Sequence, residues 1–172
     1  MTVELVRIDD RLVHGQVVEG WLKSLRISQV VVASDSVAVD ETQQALYLLA
    51  VPQGVSLICL SLAETAAAWK KHGWRTDRTL ILVSSPKDAL RLLEDGAPLA
   101  SVNVGGIHFK EGRVQILRAI SLDDQDVAAL NILVTRGVIL EARPLPLDEP
   151  VDLRPYLEQW QQRQTTGGDQ PR

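Results

Sequence analysis

A short segment near the N-terminus carries the residue types that phosphoryl chemistry needs. His14 is followed by Gly15 and Gln16, and Arg11 precedes it by three residues. A neutral imidazole nitrogen can attack phosphorus, and phosphohistidine can pass the group to a further acceptor. The planar guanidinium of Arg11 can neutralise charge on the transferring oxygens. Gly15 lets the backbone approach a phosphate closely, and Gly15 and Gln16 are both predicted to bind the phosphate. The segment therefore predicts a histidine that accepts a phosphoryl group.

Two roles are open for Asp10, which stands beside Arg11 in the same segment. Asp10 can fix the tautomer of the His14 imidazole by accepting a hydrogen bond from its second nitrogen, or it can hold Arg11 in place. On residue types alone, an ordinary surface ion-pair cluster explains the segment about equally well.

The elements that must position this segment follow an alternating order. Short β-branched runs alternate with stretches of helical period, which predicts an α/β fold with a single open, mainly parallel sheet and helices on both faces. The His14 segment follows the first strand, where a helix N-terminus at the carboxyl edge of the sheet favours an anion. The predicted strands are Val3 to Ile8, Gln29 to Ala33, Ser56 to Leu60, Thr79 to Val83, Ser101 to Val104 and Val138 to Arg143. The predicted helices are Gly15 to Leu25, Asp40 to Ala50, Leu62 to Lys71, Pro86 to Glu94, Asp123 to Arg136 and a short one at Tyr156 to Arg163.

Four further residues are predicted at the same edge of the sheet as phosphate-binding candidates. Ser84 and Ser85 follow the fourth strand, and their hydroxyls can donate to phosphoryl oxygens, although capping of the next helix explains them nearly as well. Gly105 and Gly106 end the fifth strand and permit a close approach of the backbone, with a tight turn as the alternative.

The two remaining histidines receive different predictions. His108 follows the two glycines and is a candidate second phosphate contact, although an exposed loop histidine is favoured by about three to one. His72 ends a predicted helix, where a cation suits the dipole, and is predicted to be structural. No two histidines have metal-ligand spacing, so no metal is expected.

Length and composition predict one domain over residues 1–164, followed by a flexible tail over 165–172 or by the start of a linker to a fused domain. The net charge of −4 argues against nucleic-acid binding.

Cys59 is the single cysteine and no secretory signal is visible, so a cytoplasmic protein is expected. No apolar run reaches the roughly 18 residues of a membrane span. The chain lacks a Gly-x-x-x-x-Gly-Lys loop, so ATP is not the expected donor. No organic cofactor is expected either.

The segment from Arg7 to Val17 closely resembles the active-site signature of the IIB components of the mannose, fructose and sorbose phosphotransferase family. A second match, Ser101 to Gly106, resembles the fifth-strand motif of that family. Weaker similarity occurs at Val30 to Asp35, Val51 to Val55 and Arg136 to Arg143, so the resemblance covers roughly residues 1–156.

The resemblance implies an activity and a set of partners. The chain is expected to be a protein-Nπ-phosphohistidine–sugar phosphotransferase that receives its phosphoryl group on His14 from a IIA domain or subunit. It then passes the group to a sugar that crosses the membrane through IIC and IID subunits. A homodimer, and association with the inner face of the membrane through IIC and IID, are also expected. The alternative is a regulatory phosphocarrier or sensor without a dedicated permease.

Overall fold

The computed structural model describes residues 3–71, 74 and 77–166. His72 and residues 167–172 of the predicted tail therefore lie outside the described residues. The last helix runs to Thr166, so the described part of the predicted tail is helical. Among the described residues, none of the helices combines the length and the apolar composition needed to cross a bilayer.

The described residues form nine strands: β1 Val3–Asp9, β2 Gln29–Ala33, β3 Ser56–Leu60, β4 Thr79–Val83, β5 Ser101–Gly106, β6 Val114–Leu117, β7 Ile120–Leu122, β8 Ile139–Ala142 and β9 Val151–Asp152. Seven of these strands form one open sheet in the order β3-β2-β4-β1-β5-β8-β9, and of these seven only the short edge strand β9 is antiparallel to its neighbour. Strands β6 and β7 form a separate antiparallel hairpin. The mainly parallel α/β fold predicted from the sequence is confirmed.

Five α-helices and two other helical segments connect the strands in the described residues. The helices are α1 Glu41–Ala50, α2 Leu62–Lys70, α3 Pro86–Glu94, α4 Asp124–Thr135 and α5 Arg154–Thr166, with a π-helix at Gln16–Leu22 and a 3₁₀ helix at Val37–Val39. Side-chain caps explain where several helices begin. Ser61 and Asp123 both form capping boxes, and Asp40 accepts a hydrogen bond from the Gln43 amide.

The first helical segment differs from the regular helix predicted there. Gln16–Leu22 is a π-helix whose buried residues include the adjacent pair Val17 and Val18. Two β-branched residues and Gly20 are weak helix formers, and π-turns concentrate at functional sites. Gly20 also lies against the chain after β8, since a Cβ at that position would come 3.3 Å from Cδ of Pro146.

The two faces of the sheet bury separate hydrophobic clusters, which fixes where the connections run. The π-helix packs on one face and α2 to α5 contribute to the cluster on the other. The chain therefore leaves β1 toward one face and leaves β5 toward the opposite face. In open parallel sheets, ligands bind at the carboxyl ends of two neighbouring strands whose connections diverge in this way. The crevice beyond β1 and β5 is that point in this fold.

Glycines in β5 leave room for buried side chains of β1. A Cβ on Gly105 would lie 1.7 Å from Cζ of Arg7, whose side chain is fully buried. A Cβ on Gly106 would lie 3.1 Å from Oδ2 of Asp9. The two glycines therefore have a packing role beside Arg7 and Asp9, and a phosphate contact by either glycine stays a prediction.

We expect Gly105→Ala to lower the free energy of unfolding by about 1–3 kcal/mol, because Arg7 cannot move away without losing its buried contacts. Urea denaturation followed by circular dichroism measures this loss. Gly15→Ala is the matched control, because Gly15 has a helical φ of −51° and no atom lies within 4 Å of its added Cβ. Equal stability of the two variants would contradict the packing role of Gly105.

Candidate functional site

The candidate site is the loop that joins β1 to the π-helix. β1 ends at Asp9, and the chain then turns sharply because the Leu12 amide donates to the Asp9 carbonyl at 2.9 Å. Leu12 adopts a φ of +55°, an unfavourable conformation for a residue with a Cβ, while its side chain is buried. The buried leucine anchors the turn, and the turn returns His14 to the end of β1.

His14 lies against the carboxylate of Asp9. Its Nε2 is buried and lies 2.9 Å from Oδ2 of Asp9, a fully buried side chain. The ring is not oriented to make a well-aligned hydrogen bond, so the contact is a close electrostatic one. Since Nε2 faces the carboxylate, Nδ1 is the ring nitrogen left for an incoming group. The His14 side chain is 13% exposed.

The Asp9 carboxylate accepts hydrogen bonds from a buried cation and from a backbone amide. Arg7 Nη2 donates to Oδ2 at 2.8 Å, and the Arg11 amide donates to Oδ1 at 3.2 Å. Burial pushes the pKa of Asp9 upward, but the contact with His14 and the charge of Arg7 outweigh burial, and the pKa lies below its ordinary value. Asp9 is therefore a carboxylate at neutral pH.

Arg7 is a fully buried cation that joins three distant parts of the chain. Its Nη1 donates to Oδ1 of Asn103 at 2.6 Å and to the Arg143 carbonyl at 3.0 Å. Its Nη2 also donates to the Pro144 carbonyl at 3.2 Å. The guanidinium carbon lies 5.3 Å from the centre of the Trp21 ring, within cation–π range. Burial lowers the pKa of Arg7, although the Asp9 charge opposes this change.

The residues predicted around His14 occupy the mouth of the same loop. The Arg11 side chain is 45% exposed, and its Nη2 donates to Oε1 of Gln16 at 3.1 Å. Gly15 is open on the side where a Cβ would stand. The structure thus brings Arg11, Gly15 and Gln16 to one exposed rim beside His14.

The carboxylate next to His14 is Asp9, so the first of the two roles left open for Asp10, contact with the His14 ring, is wrong. Asp10 instead faces His108, with Oδ1 2.6 Å from Nδ1 of that ring. Successive side chains of an extended segment point in opposite directions, so only one of two adjacent aspartates can face a given neighbour. The sequence offered both residues and gave no means of choosing between them.

The two serines after β4 are engaged in capping α3. The Ser85 hydroxyl accepts from the Asp88 amide at 3.1 Å, and the Ser84 hydroxyl donates to Oδ2 of Asp88 at 2.5 Å. These contacts favour the capping alternative. A phosphate contact by either serine stays a prediction.

Sequence reasoning missed Arg7, Asp9 and Asn103 as parts of the site. A usable signal was present, because all three are polar residues inside apolar strands of a sheet that is covered on both faces. Such residues need partners when buried.

The comparison with family models agrees with this geometry. Residues 3–167 match the model described as the PTS system sorbose subfamily IIB component. The chain belongs to this IIB family. The family resemblance inferred from the signature segment is therefore confirmed.

Relatives of this IIB chain include proteins named for several sugars. It is 36% identical over 152 residues to the fructose-specific EIIB component of Bacillus subtilis strain 168, covering 88% of this chain and 93% of that protein. It is 37% identical over 148 residues to the mannose-specific EIIAB component of Escherichia coli strain K12, covering 86% of this chain. The match spans only 46% of that longer relative.

The fold of the IIB chain also matches solved structures. The IIBSor domain of the sorbose permease from Klebsiella pneumoniae superposes with a TM-score of 0.85 at 31% identity, covering 92% of this chain and 98% of that domain.

We expect Asp9→Asn to lower the free energy of unfolding by about 3–5 kcal/mol at pH 7, because it leaves the Arg7 charge buried without its partner. The pKa of Asp9 is lower in the folded state than in the unfolded state, so its stabilising contribution is fully present above the unfolded value of about 3.9. That contribution is lost as the pH falls through the folded pKa, because the unfolded state binds the proton more readily than the folded state does.

Urea denaturation of both proteins at pH 7, 5 and 3 measures this difference. The difference in the free energy of unfolding between wild type and Asp9→Asn should become smaller at pH 3. Asp10→Asn serves as the control, because its partner His108 is half exposed and the loss should be about 1 kcal/mol or less. A difference in unfolding free energy that stays the same at all three pH values would contradict the role assigned to Asp9.

Proposed function

We propose that this IIB chain accepts a phosphoryl group on Nδ1 of His14 from a IIA phosphohistidine and passes it to a sugar during uptake through IIC and IID. The observation that carries the proposal is the placement of His14. Its Nε2 is buried against an ionised Asp9, and it lies at the point of the sheet where α/β folds bind ligands.

The Asp9 contact suits the accepting step. The nearby negative charge of Asp9 favours the tautomer that carries its proton on Nε2, so Nδ1 keeps its lone pair and can attack phosphorus. The bond from phosphorus to the donor nitrogen breaks as the bond to Nδ1 forms. The phosphorylated ring then carries positive charge, which Asp9 stabilises at 2.9 Å from Nε2.

The same contact suits the donating step. When the phosphoryl group leaves, the bonding electron pair returns to Nδ1. Because Nε2 keeps its proton, the leaving group is a neutral imidazole, which departs more readily than an imidazolate would. Asp9 therefore serves both half-reactions without changing its own protonation state.

The exposed rim supports binding of the phosphoryl oxygens. Arg11 can turn its guanidinium from Gln16 toward the transferring group, since its side chain is 45% exposed. The open side of Gly15 leaves space for the phosphate beside the start of the helix.

Partners and location are proposed from the family. Relatives are named as fructose-, mannose- and sorbose-specific components, which supports a sugar as the final acceptor. We propose IIA as the donor and a cytoplasmic chain that meets IIC and IID at the membrane. The homodimer stays a prediction from the resemblance.

The direct test is phosphorylation by the general phosphotransferase proteins, IIA and labelled phosphoenolpyruvate. Wild type should incorporate about one phosphoryl group per chain, and His14→Ala should stay at background. Arg91→Ala is the control and should label within about twofold of wild type, because its exposed side chain pairs with Asp95 at the C-terminal end of α3, away from the loop after β1. Equal labelling of wild type and His14→Ala would reject the proposal.

Arg11→Ala should slow the labelling rate by about 100-fold, because it removes a cation from the developing charge. Its unfolding free energy should change by no more than about 0.5 kcal/mol, since the side chain is exposed. Arg11→Lys should recover part of the rate, because it restores the charge without the planar fork. Rapid-quench labelling measures all three rates, and an unchanged rate in Arg11→Ala would exclude this role.

A further inference from the structure

A second carboxylate–imidazole pair joins the loop after β1, which also carries His14, to the residue that follows the backbone bridge after β5. Oδ1 of Asp10 is 2.6 Å from Nδ1 of His108, and the His108 amide donates to Oδ2 of Asp10 at 2.9 Å. The carboxylate thus holds both the ring and the backbone of one residue. The His108 side chain is 47% exposed, whereas the Asp10 side chain is only 13% exposed.

The segment that carries His108 is firmly held. The His108 carbonyl accepts from Nη1 of Arg113 at 3.1 Å, and Nε of Arg113 lies 3.2 Å from Oδ2 of Asp126. The preceding residue, Ile107, is fully buried and exchanges backbone hydrogen bonds with the β6–β7 hairpin. The exposed imidazole of His108 is therefore attached to a backbone whose position is fixed by several contacts. It differs in this from an ordinary histidine in a mobile loop.

In the Asp9–His14 pair and the Asp10–His108 pair, the carboxylate contacts a different nitrogen of the imidazole ring. Asp9 faces Nε2 of His14, whereas Asp10 faces Nδ1 of His108. The Asp10 amide also donates to the Gly106 carbonyl at 3.0 Å, which ties the loop after β1 to the end of β5. With a proton on Nδ1 donated to Asp10, Nε2 of His108 carries a lone pair directed away from the carboxylate.

Only one of the two proposed half-reactions releases a proton. Acceptance from IIA uses the lone pair of Nδ1 of His14, and no proton leaves the nucleophile. Transfer to a sugar uses a hydroxyl, whose proton must be removed as the new bond forms. A base held by a carboxylate through its other nitrogen is the arrangement that activates hydroxyl nucleophiles in many enzymes.

We propose that His108 is the general base of the sugar-phosphorylating step and that Asp10 is its positioning residue. This inference rests on the proposed function and assigns it a further catalytic residue. The sugar oxygen bonds to phosphorus, and the bond from phosphorus to Nδ1 of His14 breaks with its electron pair returning to Nδ1. The hydroxyl proton moves to Nε2 of His108, and Asp10 stabilises the resulting imidazolium until the proton passes to solvent.

The experiment separates the two half-reactions. Wild type, His108→Gln and Lys110→Ala are labelled through IIA, mixed with vesicles that contain the IIC and IID subunits, and chased with mannose, fructose, sorbose or N-acetylgalactosamine at saturating concentration. His108→Gln should label at the wild-type rate and discharge to sugar at least about 100-fold more slowly. Lys110→Ala, the neighbouring exposed control, should match wild type in both steps.

Two further variants distinguish a base from a structural residue. His108→Ala should discharge slowly and regain rate when free imidazole is added, because the exposed position leaves room for the small base. Asp10→Asn should slow discharge by about tenfold without slowing labelling, because the ring loses its fixed tautomer. Circular dichroism confirms that each variant is folded.

Discharge of His108→Gln within threefold of wild type would overturn the proposal, and so would an equal loss of labelling and discharge. If free imidazole does not accelerate discharge of His108→Ala to sugar, that result would also contradict the role of His108 as a general base. The proposed function fails separately if wild type is not labelled on His14 or if no sugar discharges it.

Discussion

The buried ion pair between Arg7 and Asp9 is the interaction on which the rest of the site depends. Removing both charges from water is costly, and the cost is offset only when every remaining donor and acceptor finds good partners. Here Nη1 and Nη2 of Arg7 find partners in Asn103 on β5 and in the Arg143 and Pro144 carbonyls after β8. Nε of Arg7 is buried and has no hydrogen-bond partner among the described residues, so the cost is offset in part. The candidate loop is therefore fixed to the core of the sheet by contacts between Arg7, near the start of the sequence, and residues about 100 to 140 positions later.

Trp21 links this pair to the helix that follows His14. The centre of its ring lies 5.3 Å from Cζ of Arg7 and 5.7 Å from Cζ of Arg143, and its Nε1 donates to the Pro144 carbonyl at 3.1 Å. The consequence for function is that one oxygen, Oδ2 of Asp9, contacts both Arg7 and His14. His14 and the charge of Arg7 together lower the pKa of Asp9 against the effect of its burial, and Nε2 is the nitrogen of His14 that lies beside the carboxylate.

Most of the fold could be predicted because most of its strands have a clear sequence pattern. β2, β3 and β4 have the predicted bounds, since each is a short apolar run between clear helix signals. The hairpin of β6 and β7 and the edge strand β9 were missed, because β7 and β9 have three and two residues and β6 is largely exposed. Such short elements form through tertiary pairing and leave little pattern in the sequence.

The candidate site was predicted at the level of the loop and not at the level of its contacts. The position of His14, Arg11, Gly15 and Gln16 on one segment needs only the sequence. The choice between Asp9 and Asp10 depends on where β1 ends, and element ends are the least certain part of any sequence-based prediction. The roles of Gly105 and Gly106 depend on which side chain of β1 they face, a matter of register between distant strands.

The central claim is that Asp9 faces Nε2 of His14 and leaves Nδ1 to carry the phosphoryl group. Nuclear magnetic resonance of the phosphorylated protein, labelled with ¹⁵N in histidine, measures it directly through the coupling between phosphorus and the bonded ring nitrogen. The account predicts that phosphorus is bonded to Nδ1 of His14. Phosphorus bonded to Nε2 of that ring, or to no nitrogen of His14, would contradict it.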